Sequence, residues 1–281
     1  MGDWKDAFVA SYKEANDDNL AIVAAGVGFY SFLSLVPLLA SVVLIYGLVV
    51  DSETVARHVS SMSSMLPGSA TELVRTQLES IVSGPDSSKG FGLVVALGLA
   101  LFSARNAAGA VIIALNIAYD VEDDRSFFKR VLLALAITIG GILGAGLVLG
   151  ATTAITMLGS LMPDLGGGTQ IALKIGTYVL LFLLGMAAAA TLYRFGPNRA
   201  EPRWKWVTPG SFFAAAGWLL VTIGFGIYVN NFGNYDATYG TLGAVVVLMT
   251  WMWLSAYVLL FGAELNDAVR KQAKEDDETA S

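Results

Sequence analysis

Six long apolar runs dominate the chain, and the short segments between them carry most of its charged side chains. A helix needs roughly 20 apolar residues to cross the hydrocarbon layer of a bilayer, and every run reaches that length. The runs extend over Leu20–Val50, Phe91–Ala118, Val131–Leu158, Ile171–Phe195, Thr208–Val229 and Gly240–Ala263. The pattern predicts an all-α polytopic membrane protein with six transmembrane helices, built as a single integral membrane domain over residues 1–281.

Composition supports the membrane class and removes most metal chemistry. Of the 281 residues, 55% are hydrophobic and 14% are charged, and the mean hydropathy is +0.63, which exceeds what a soluble domain of this length needs. The chain has no cysteine and a single histidine, His58, so disulfides and thiolate metal sites are excluded. We therefore expect no metal and no cofactor. Residues 1–19 are charged and lack an apolar core, so we expect no cleavable signal peptide.

The distribution of lysine and arginine predicts the orientation in the membrane. Twelve of these residues lie in the N-terminal segment, the segments after the second and fourth runs, and the C-terminal segment, whereas the opposite side holds Arg57, Arg75 and Lys89. Positive charge is enriched on the cytoplasmic side of membrane proteins. Both termini are therefore predicted to be cytoplasmic, with the protein in the inner (cytoplasmic) membrane.

Three segments outside the runs have a recognisable pattern. Residues 1–19 predict a cytoplasmic amphipathic helix whose aromatic side either lies in the headgroup layer or packs on the bundle. The outer loop 51–89 predicts a helical hairpin, because apolar residues recur at helical spacing on both sides of Pro67 and Gly68. The hairpin either caps the outer mouth of the bundle or only covers exposed side chains. Residues 267–281 form a charged cytoplasmic tail.

Arg105 lies at the middle of the second apolar run. A central arginine costs at least about 2.5 to 3.5 kcal/mol on membrane-insertion scales, so something must compensate for its charge. Gly98, Arg105, Gly109 and Asn116 fall on one face of the helix, which should point into the bundle.

The first run offers partners for this charge. Pro37 removes its own N–H and frees the carbonyl of Leu33, and a free carbonyl in hydrocarbon must find a donor. Tyr30, Ser31 and Ser34 supply further polar atoms at a similar depth. Arg105 either ties the first two helices together or keeps part of its guanidinium available to a phosphate or carboxylate.

Glu264 is the only carboxylate near the end of the sixth run. It lies about 18 Å toward the cytoplasm from the middle of that run, at 1.5 Å per residue, which is too far for a direct pair with Arg105. We expect it to pair with Asn116 or Asn266, or to stay solvated at the inner mouth.

Two features of the runs predict helix packing. Gly140 and Gly144 in the third run, and likewise Gly146 and Gly150, have the spacing that allows two helix backbones to approach closely. Trp251 and Trp253 lie near mid-membrane, so their indole N–H groups need acceptors inside the bundle.

The same residues resemble those of the YihY/BrkB family of inner-membrane proteins. The similarity is carried by the blocks "AAGVGFYSFLSLVPLL", "SARNAAGAVIIALNIAYDVEDDRSFFKRVLLAL", "LYRFGPNRAEPRWKWVTPGSFFAAAGWLL" and "YGTLGAVVVLMTWMWLSAYVLLFGAELN". The resemblance implies a virulence or serum-resistance factor with links to export of lipid-type envelope components. It also brings an older ribonuclease label, which the sequence opposes because a metal-dependent nuclease needs clustered histidines and carboxylates.

Together these observations favour a transporter or flippase-like exporter of an amphipathic, anionic, lipid-related envelope component. Arg105 is the midplane charge, Asn106 and Asn116 are hydrogen-bonding groups, and Pro37 is the helix break. The remaining residues of the predicted path are Tyr30, Ser31, Ser34, Glu264 and Asn266. The alternative is a structural or accessory membrane protein that transports nothing.

The sequence favours a protein that is not an enzyme, because no nucleophile and base occur together at helical spacing. Membrane lipids are the expected partners, with an anionic lipid-like substrate. Nucleic acid is not expected, because topology alone explains the basic segment Arg194–Lys205. The sequence is compatible with a monomer or a homo-oligomer.

Overall fold

The computed structural model describes residues 4–49, 86–161, 167–199, 208–232 and 241–279. Within these ranges all regular structure is helical, which confirms the all-α prediction. The seven helices are α1 (Trp4–Asp17), α2 (Leu20–Val49), α3 (Asp86–Ala118), α4 (Phe127–Leu161), α5 (Gly167–Phe195), α6 (Pro209–Phe232) and α7 (Thr241–Thr279). The predicted hairpin at 51–89 lies outside the described residues, except that residues 86–89 form the first turn of α3.

Four helical segments of the described chain are long and apolar enough to cross a membrane. They are Phe127–Val148, Ile171–Phe195, Pro209–Val229 and Val245–Ala273. The bent pair of α1 and α2 adds a fifth if it is counted as one span, and α3 contributes the shorter apolar segment Arg105–Ala118. Several membrane-spanning helices are thus present, while the count of six and the orientation of the termini stay predictions.

The core of the bundle is formed where α2, α3, α6 and α7 meet. α2 packs along α3 and α7, α6 packs on α7, and the end of α5 contributes Tyr193 to the same core. Leu20, Leu115, Tyr119, Tyr193 and Leu260 are almost fully buried there. These residues lie at the end of the bundle that contains α1 and the 119–126 loop, here called the inner end because the charge distribution predicts that it faces the cytoplasm.

Both central tryptophans find acceptors inside the bundle, as the sequence predicted. The Trp253 indole N–H donates to the Ala21 carbonyl of α2 at 2.9 Å, and that of Trp251 donates to the Thr222 hydroxyl of α6 at 3.3 Å. A methyl group at Gly28 would lie 3.1 Å from the backbone nitrogen of Trp253, so α2 and α7 approach each other closely here.

A sharp bend separates α1 from α2. The two helices meet at 68°, and Asn19 between them has a φ of 52°, the left-handed conformation that asparagine tolerates better than most residues. α1 buries its small side chains Ala7, Ser11 and Ala15 and contacts α7, leaving Trp4 exposed. The predicted tail is helical as far as Thr279, because α7 continues beyond the apolar run.

The glycines of α4 do not mediate close packing in the described part of the chain. A methyl group added at Gly140 or Gly144 would meet no atom within 4 Å. Among the described residues no other helix approaches α4 at these glycines, and α4 is held through its first turns instead. Ala134 and Thr138 are buried there, and Ala134 packs with Ala108 and Ile112 of α3.

Candidate functional site

A cavity of about 700 Å³ lies between α2, α3 and the first turns of α4. Most of its lining is aliphatic, and Gly26 and Gly109 leave space where side chains would otherwise fill it. The polar lining consists of Tyr30, Arg105, Asn106, Asp123 and Arg130. Three of the residues predicted to form a path are thus brought together at one cavity: Tyr30, Arg105 and Asn106.

The Arg105 guanidinium lies between two aromatic rings. Its carbon is 5.9 Å from the ring centre of Phe102 in α3 and 5.8 Å from that of Phe127, the first residue of α4. A cation over a ring face is attracted by the ring's quadrupole, and this attraction uses none of the N–H donors. Within the part of the chain that the structure describes, the guanidinium therefore keeps its N–H donors available on the cavity side.

The predicted contact between Arg105 and the Leu33 carbonyl is wrong. Among the described residues, the contacts of the guanidinium are the two rings. α2 remains one helix through Pro37 as far as Val49, so the helix passes the proline without ending. The Pro37 side chain itself lies outside the described side chains. One turn before the proline, the Ser34 hydroxyl donates to the Ser31 carbonyl at 2.7 Å, which satisfies it within α2.

Asn116 joins three segments at the inner end. Its side-chain amide donates to Asp123 Oδ2 at 3.2 Å, and its carbonyl oxygen accepts from the backbone N–H of Asn198 at 2.8 Å. The side chain is 5% exposed. Asn116 therefore holds the end of α3 to the loop that follows it and to the segment after α5.

The loop between α3 and α4 begins with a defined helix cap. The Val121 N–H donates to the Asn116 carbonyl at 3.0 Å, and the Asp120 N–H donates to the Ile117 carbonyl at 2.8 Å. Asp120 has a φ of 49°. This is the paired hydrogen-bond pattern of a Schellman cap, in which the left-handed residue usually is glycine or asparagine.

Arg125 fixes the Asp123 carboxylate at the rim of the cavity. Arg125 Nε donates to Asp123 Oδ1 at 2.7 Å, Nη2 donates to Oδ2 at 3.0 Å, and Nη2 also donates to the Gly196 carbonyl at 2.9 Å. Partial burial opposes ionisation of Asp123, but the hydrogen bonds and charge of Arg125 outweigh it and lower the pKa of that carboxyl below 3.8. The negative charge of Asp123 is thus neutralised by Arg125.

This pair predicts a pH-dependent contribution to stability. Because the pKa of Asp123 is lower in the folded protein than in the unfolded chain, its contribution is present above about pH 4 and is lost as the pH falls through the folded value. At neutral pH, Asp123→Asn should lower the free energy of unfolding by roughly 1.5 to 3 kcal/mol, as is typical of hydrogen bonds to charged groups. Thermal unfolding in detergent micelles over a pH series measures the difference.

The matched control is Glu122→Gln, which changes an exposed carboxylate of the same loop. It should leave the melting temperature unchanged at every pH. A difference between wild type and Asp123→Asn that stayed constant down to about pH 2 would contradict the assignment.

The structure corrects the predicted environment of Glu264. Asn266, one expected partner, accepts from the Gly210 N–H at 2.8 Å and donates to the Tyr119 hydroxyl at 3.2 Å. Asn116, the other expected partner, bonds to Asp123 and Asn198 instead. Glu264 is also not solvated, because it is 1% exposed. The reason is that α1 folds back over this end of α7 and covers it.

Three aromatic and basic residues at the inner end were not singled out in the sequence. The Tyr193 hydroxyl donates to the Leu259 carbonyl at 2.5 Å, and Arg199 lies 3.9 Å above the ring of Tyr119 while donating to the Tyr193 carbonyl at 2.6 Å. Burial raises the pKa of Tyr119 to about 12, although Arg199 opposes this. The motifs "AYD" and "YRFGPNR" contain all three and were the available signal.

The helices and their apolar surfaces define a multi-pass helical membrane protein. A family model described as Virulence factor BrkB matches residues 11–281, and the chain belongs to this family. The predicted family membership is therefore confirmed. No solved structure matches the chain.

Several curated proteins are similar to this chain. Ribonuclease-like protein YfkH of Bacillus subtilis is 33% identical over 75% of this chain and 77% of its own length. UPF0761 membrane protein PSHAa0171 of Pseudoalteromonas translucida is 24% identical over 92% of this chain and 84% of its own. UPF0761 membrane protein RSc1559 of Ralstonia nicotianae is 28% identical over 90% of this chain and 56% of its own.

Proposed function

We propose that the chain is a transporter of the inner (cytoplasmic) membrane that moves an anionic, lipid-like amphiphile and catalyses no covalent reaction. The proposal depends on the position and contacts of the Arg105 guanidinium. Its guanidinium faces a cavity lined mostly by apolar groups, and its described contacts are the rings of Phe102 and Phe127. A cation with available donors in such a place favours an anionic partner.

The size and lining of the cavity support an amphipathic substrate. Its volume of about 700 Å³ lies within the usual range for small-molecule sites. The aliphatic lining suits an acyl chain, while Arg105 and Asn106 suit a phosphate or carboxylate. Arg binds such groups well, because its planar fork can donate two parallel hydrogen bonds.

The exposed lining residues support access from the side of the bundle. Ile113 and Phe127 line the cavity, and each is 62% exposed in the isolated chain. An exposed apolar residue on a membrane-spanning helix faces lipid. A lipid could thus enter the cavity from the bilayer while its acyl chains stay in the hydrocarbon layer, which is the entry that a flippase substrate requires.

The charges around the cavity support the sign of the substrate. Arg105 and Arg130 line it on the positive side, and Asp123 is the carboxylate of the described lining. Arg125 neutralises Asp123. The resulting excess of positive charge in a region of low dielectric attracts anions over neutral lipids.

A structural or accessory role is the second candidate, and the two inner asparagines favour it. Asn116 and Asn266 spend their hydrogen bonds on the protein itself, tying α3, α6 and the inner loops together. If Arg105 also served only to hold helices together, the cavity would carry no substrate.

Flipping of a fluorescent lipid distinguishes the two candidates. The full chain is reconstituted into phosphatidylethanolamine vesicles that contain fluorescent phosphatidylglycerol, and a membrane-impermeant quencher reports the lipid that reaches the outer leaflet. Arg105→Met should reduce the initial rate at least about tenfold, which corresponds to 1.4 kcal/mol of lost stabilisation. The flipping rate of Arg105→Lys should lie between those of the wild type and Arg105→Met. Lysine keeps the positive charge but loses the planar guanidinium that can donate two parallel hydrogen bonds.

The matched control is Lys174→Met, which removes one positive charge from an exposed position on α5 away from the cavity. It should flip at the wild-type rate, and fluorescent phosphatidylcholine should move more slowly than phosphatidylglycerol. The transport proposal fails if wild-type vesicles flip no faster than protein-free vesicles. The role of Arg105 fails if the methionine variant is folded and fully active.

A further inference from the structure

Two arginines from different helices line the cavity between α2, α3 and α4. They are Arg105 of α3 and Arg130 of α4. Phe127, Arg130 and Ala134 fall on one face of α4 and line the cavity together. Phe127 and Arg130 are one turn apart, so their Cβ atoms are about 5 to 6 Å from each other. Because the Phe127 ring lies 5.8 Å from the Arg105 guanidinium carbon, α4 brings both positive charges to the same part of the cavity.

The protein neutralises neither charge within the part of the chain that the structure describes. The contacts of the Arg105 guanidinium there are aromatic rings, and none of the described ion pairs or side-chain hydrogen bonds involves Arg130. Asp123 is the carboxylate of the described lining, and Arg125 donates to its two oxygens at 2.7 and 3.0 Å. With Asp123 and Arg125 counted together as neutral, the lining keeps two positive charges.

The charge and the number of donors favour one class of anion. Each guanidinium can donate two parallel hydrogen bonds to a pair of oxygens. A phosphate monoester offers three terminal oxygens and carries about 1.5 to 2 negative charges at pH 7. A phosphate diester or a carboxylate offers two such oxygens and a single negative charge. Two arginines beside an apolar cavity therefore match a monoester better than either of the other groups.

The remaining lining favours a lipid as the source of this phosphate. Ile112, Ile113 and Ile117 continue the cavity wall along α3 from Arg105, and Val23 and Val27 of α2 also line it. From Arg105 to Ile117 the wall extends about 18 Å at 1.5 Å per residue. A free phosphate ion would leave this aliphatic surface uncovered, whereas an acyl chain would cover it.

We propose that the cavity binds the phosphate monoester headgroup of a lipid between Arg105 and Arg130, with an acyl chain along the aliphatic wall. The phosphate oxygens accept hydrogen bonds from both guanidinium groups, and no covalent bond forms or breaks. The ring of Phe127 limits the orientations of Arg105 and keeps its donors directed at the headgroup. Transport of the bound lipid rests on the proposed function, whereas the binding itself does not.

Native mass spectrometry of the full chain in detergent micelles tests the binding with three probes. They are dioctanoyl phosphatidic acid, which is a monoester, dioctanoyl phosphatidylglycerol, which is a diester, and inorganic phosphate. Phosphatidic acid should bind at least about tenfold more tightly than phosphatidylglycerol, because it adds a charge and an acceptor oxygen. It should also bind at least about tenfold more tightly than inorganic phosphate, because its acyl chains bury apolar surface.

Each probe has an outcome that contradicts the proposal. Equal affinities for phosphatidic acid and phosphatidylglycerol overturn the preference for a monoester. Equal affinities for phosphatidic acid and inorganic phosphate overturn the lipid as the source of the phosphate and assign the site to the free ion.

Arg130→Gln tests the second arginine. It should weaken the binding of phosphatidic acid at least about tenfold, to the level of phosphatidylglycerol, because one charge and its donors are lost. Lys129→Gln is the matched control, since it removes the same charge from the preceding, exposed position of α4, which is not part of the cavity lining. It should bind all three probes as the wild type does.

Equal losses in the two variants would show that only the overall charge of the chain matters, and would overturn the two-arginine site. Because no described side-chain bond depends on Arg130, Arg130→Gln should fold and melt as the wild type does. It keeps the test decisive if Arg105→Gln does not fold.

The second ionisation of the ligand gives an independent measurement. The charged or titratable groups of the protein that face the headgroup are Tyr30 from α2, Arg105 from α3, Asp123 and Arg125 from the loop, and Arg130 from α4. Arginine stays protonated, and Arg125 holds the pKa of Asp123 below its usual range despite partial burial.

The pKa for the second ionisation of a phosphate monoester is about 6. The affinity of the wild type for phosphatidic acid should therefore rise severalfold between about pH 5 and about pH 7.5, with a smaller rise in Arg130→Gln. The affinity for phosphatidylglycerol should stay constant. A wild-type affinity for phosphatidic acid that does not change with pH would contradict binding of the dianion.

Flipping of fluorescent phosphatidic acid in vesicles separates this inference from the transport proposal. Phosphatidic acid should flip faster than phosphatidylglycerol, and Arg130→Gln should remove the difference. Binding with the stated preference but without flipping would refute the transport function and leave the binding site standing. Flipping of both lipids at one rate, unchanged in Arg130→Gln, would refute the monoester site and leave the transport function standing.

Discussion

Gly210→Ala is expected to destabilise the folded protein by about 3 kcal/mol, at the upper end of the usual cost of overpacking. A methyl group at this position would lie 1.8 Å from the carbonyl oxygen of Gly262 and 2.7 Å from the side chain of Asn266. The carbonyl belongs to the backbone of α7 and cannot rotate away. Relief requires α6 and α7 to separate, which also breaks the hydrogen bond from the Gly210 N–H to Asn266.

Two other glycines of α6 provide graded controls. A methyl group at Gly217 would meet a side-chain carbon of Val258 at 2.6 Å and not the backbone, whereas one at Gly224 would meet no described atom within 4 Å. We expect the melting temperature to rise in the order Gly210→Ala, Gly217→Ala, Gly224→Ala. The last variant should melt at or slightly above the wild-type temperature, because alanine is more favourable than glycine in a helix by about 1 kcal/mol. Tryptophan fluorescence during heating in micelles measures this, and equal melting temperatures would contradict the described contact of α6 and α7.

Asn116→Leu is expected to have the second largest effect, also about 3 kcal/mol. Leucine has nearly the same size but cannot bond, so the backbone N–H of Asn198 loses its acceptor and Asp123 loses a donor. A buried group left without a partner costs about 1 to 3 kcal/mol, and here two groups are affected. The segment after α5 should then detach from the end of α3.

Asn106→Leu is the matched control on the same helix. Asn106 lines the cavity and none of the described hydrogen bonds within the protein depends on it, so its loss should change the melting temperature little. Limited proteolysis should cut the Asn116→Leu variant between α5 and α6 faster than wild type. Normal melting of Asn116→Leu, together with destabilisation by Asn106→Leu, would reverse the roles assigned to the two asparagines.

The sequence pattern alone predicts the polar face of α3. The period of an α-helix places Gly98, Arg105, Gly109 and Asn116 on one face, and a charge in a membrane helix must avoid lipid. The cavity beside Arg105 was thus foreseeable. Its aromatic neighbour Phe127 was not, because the loop that brings α4 against α3 is shaped by Asp123, Arg125 and a helix cap.

Glu264 illustrates the opposite case. The sequence shows that Glu264 lies near the end of an apolar run. Asp18 lies near the opposite end of the chain, and only the fold-back of α1 over α7 brings that region to Glu264. That fold-back depends on the bend at Asn19 and on contacts such as Lys271 with Glu14. Residues so distant in the chain leave no periodic signal.

By itself the sequence determined the helical membrane class, the approximate extent of the long helices, the family and the charged residue of α3 that lines the cavity, Arg105, because hydropathy and helical period act locally. The tertiary structure alone decided which polar groups meet: Asn116 with Asp123 and Asn198, and Asn266 with Gly210 and Tyr119. The physical reason is that a buried polar group takes whatever partner the packing of distant helices brings within about 3 Å.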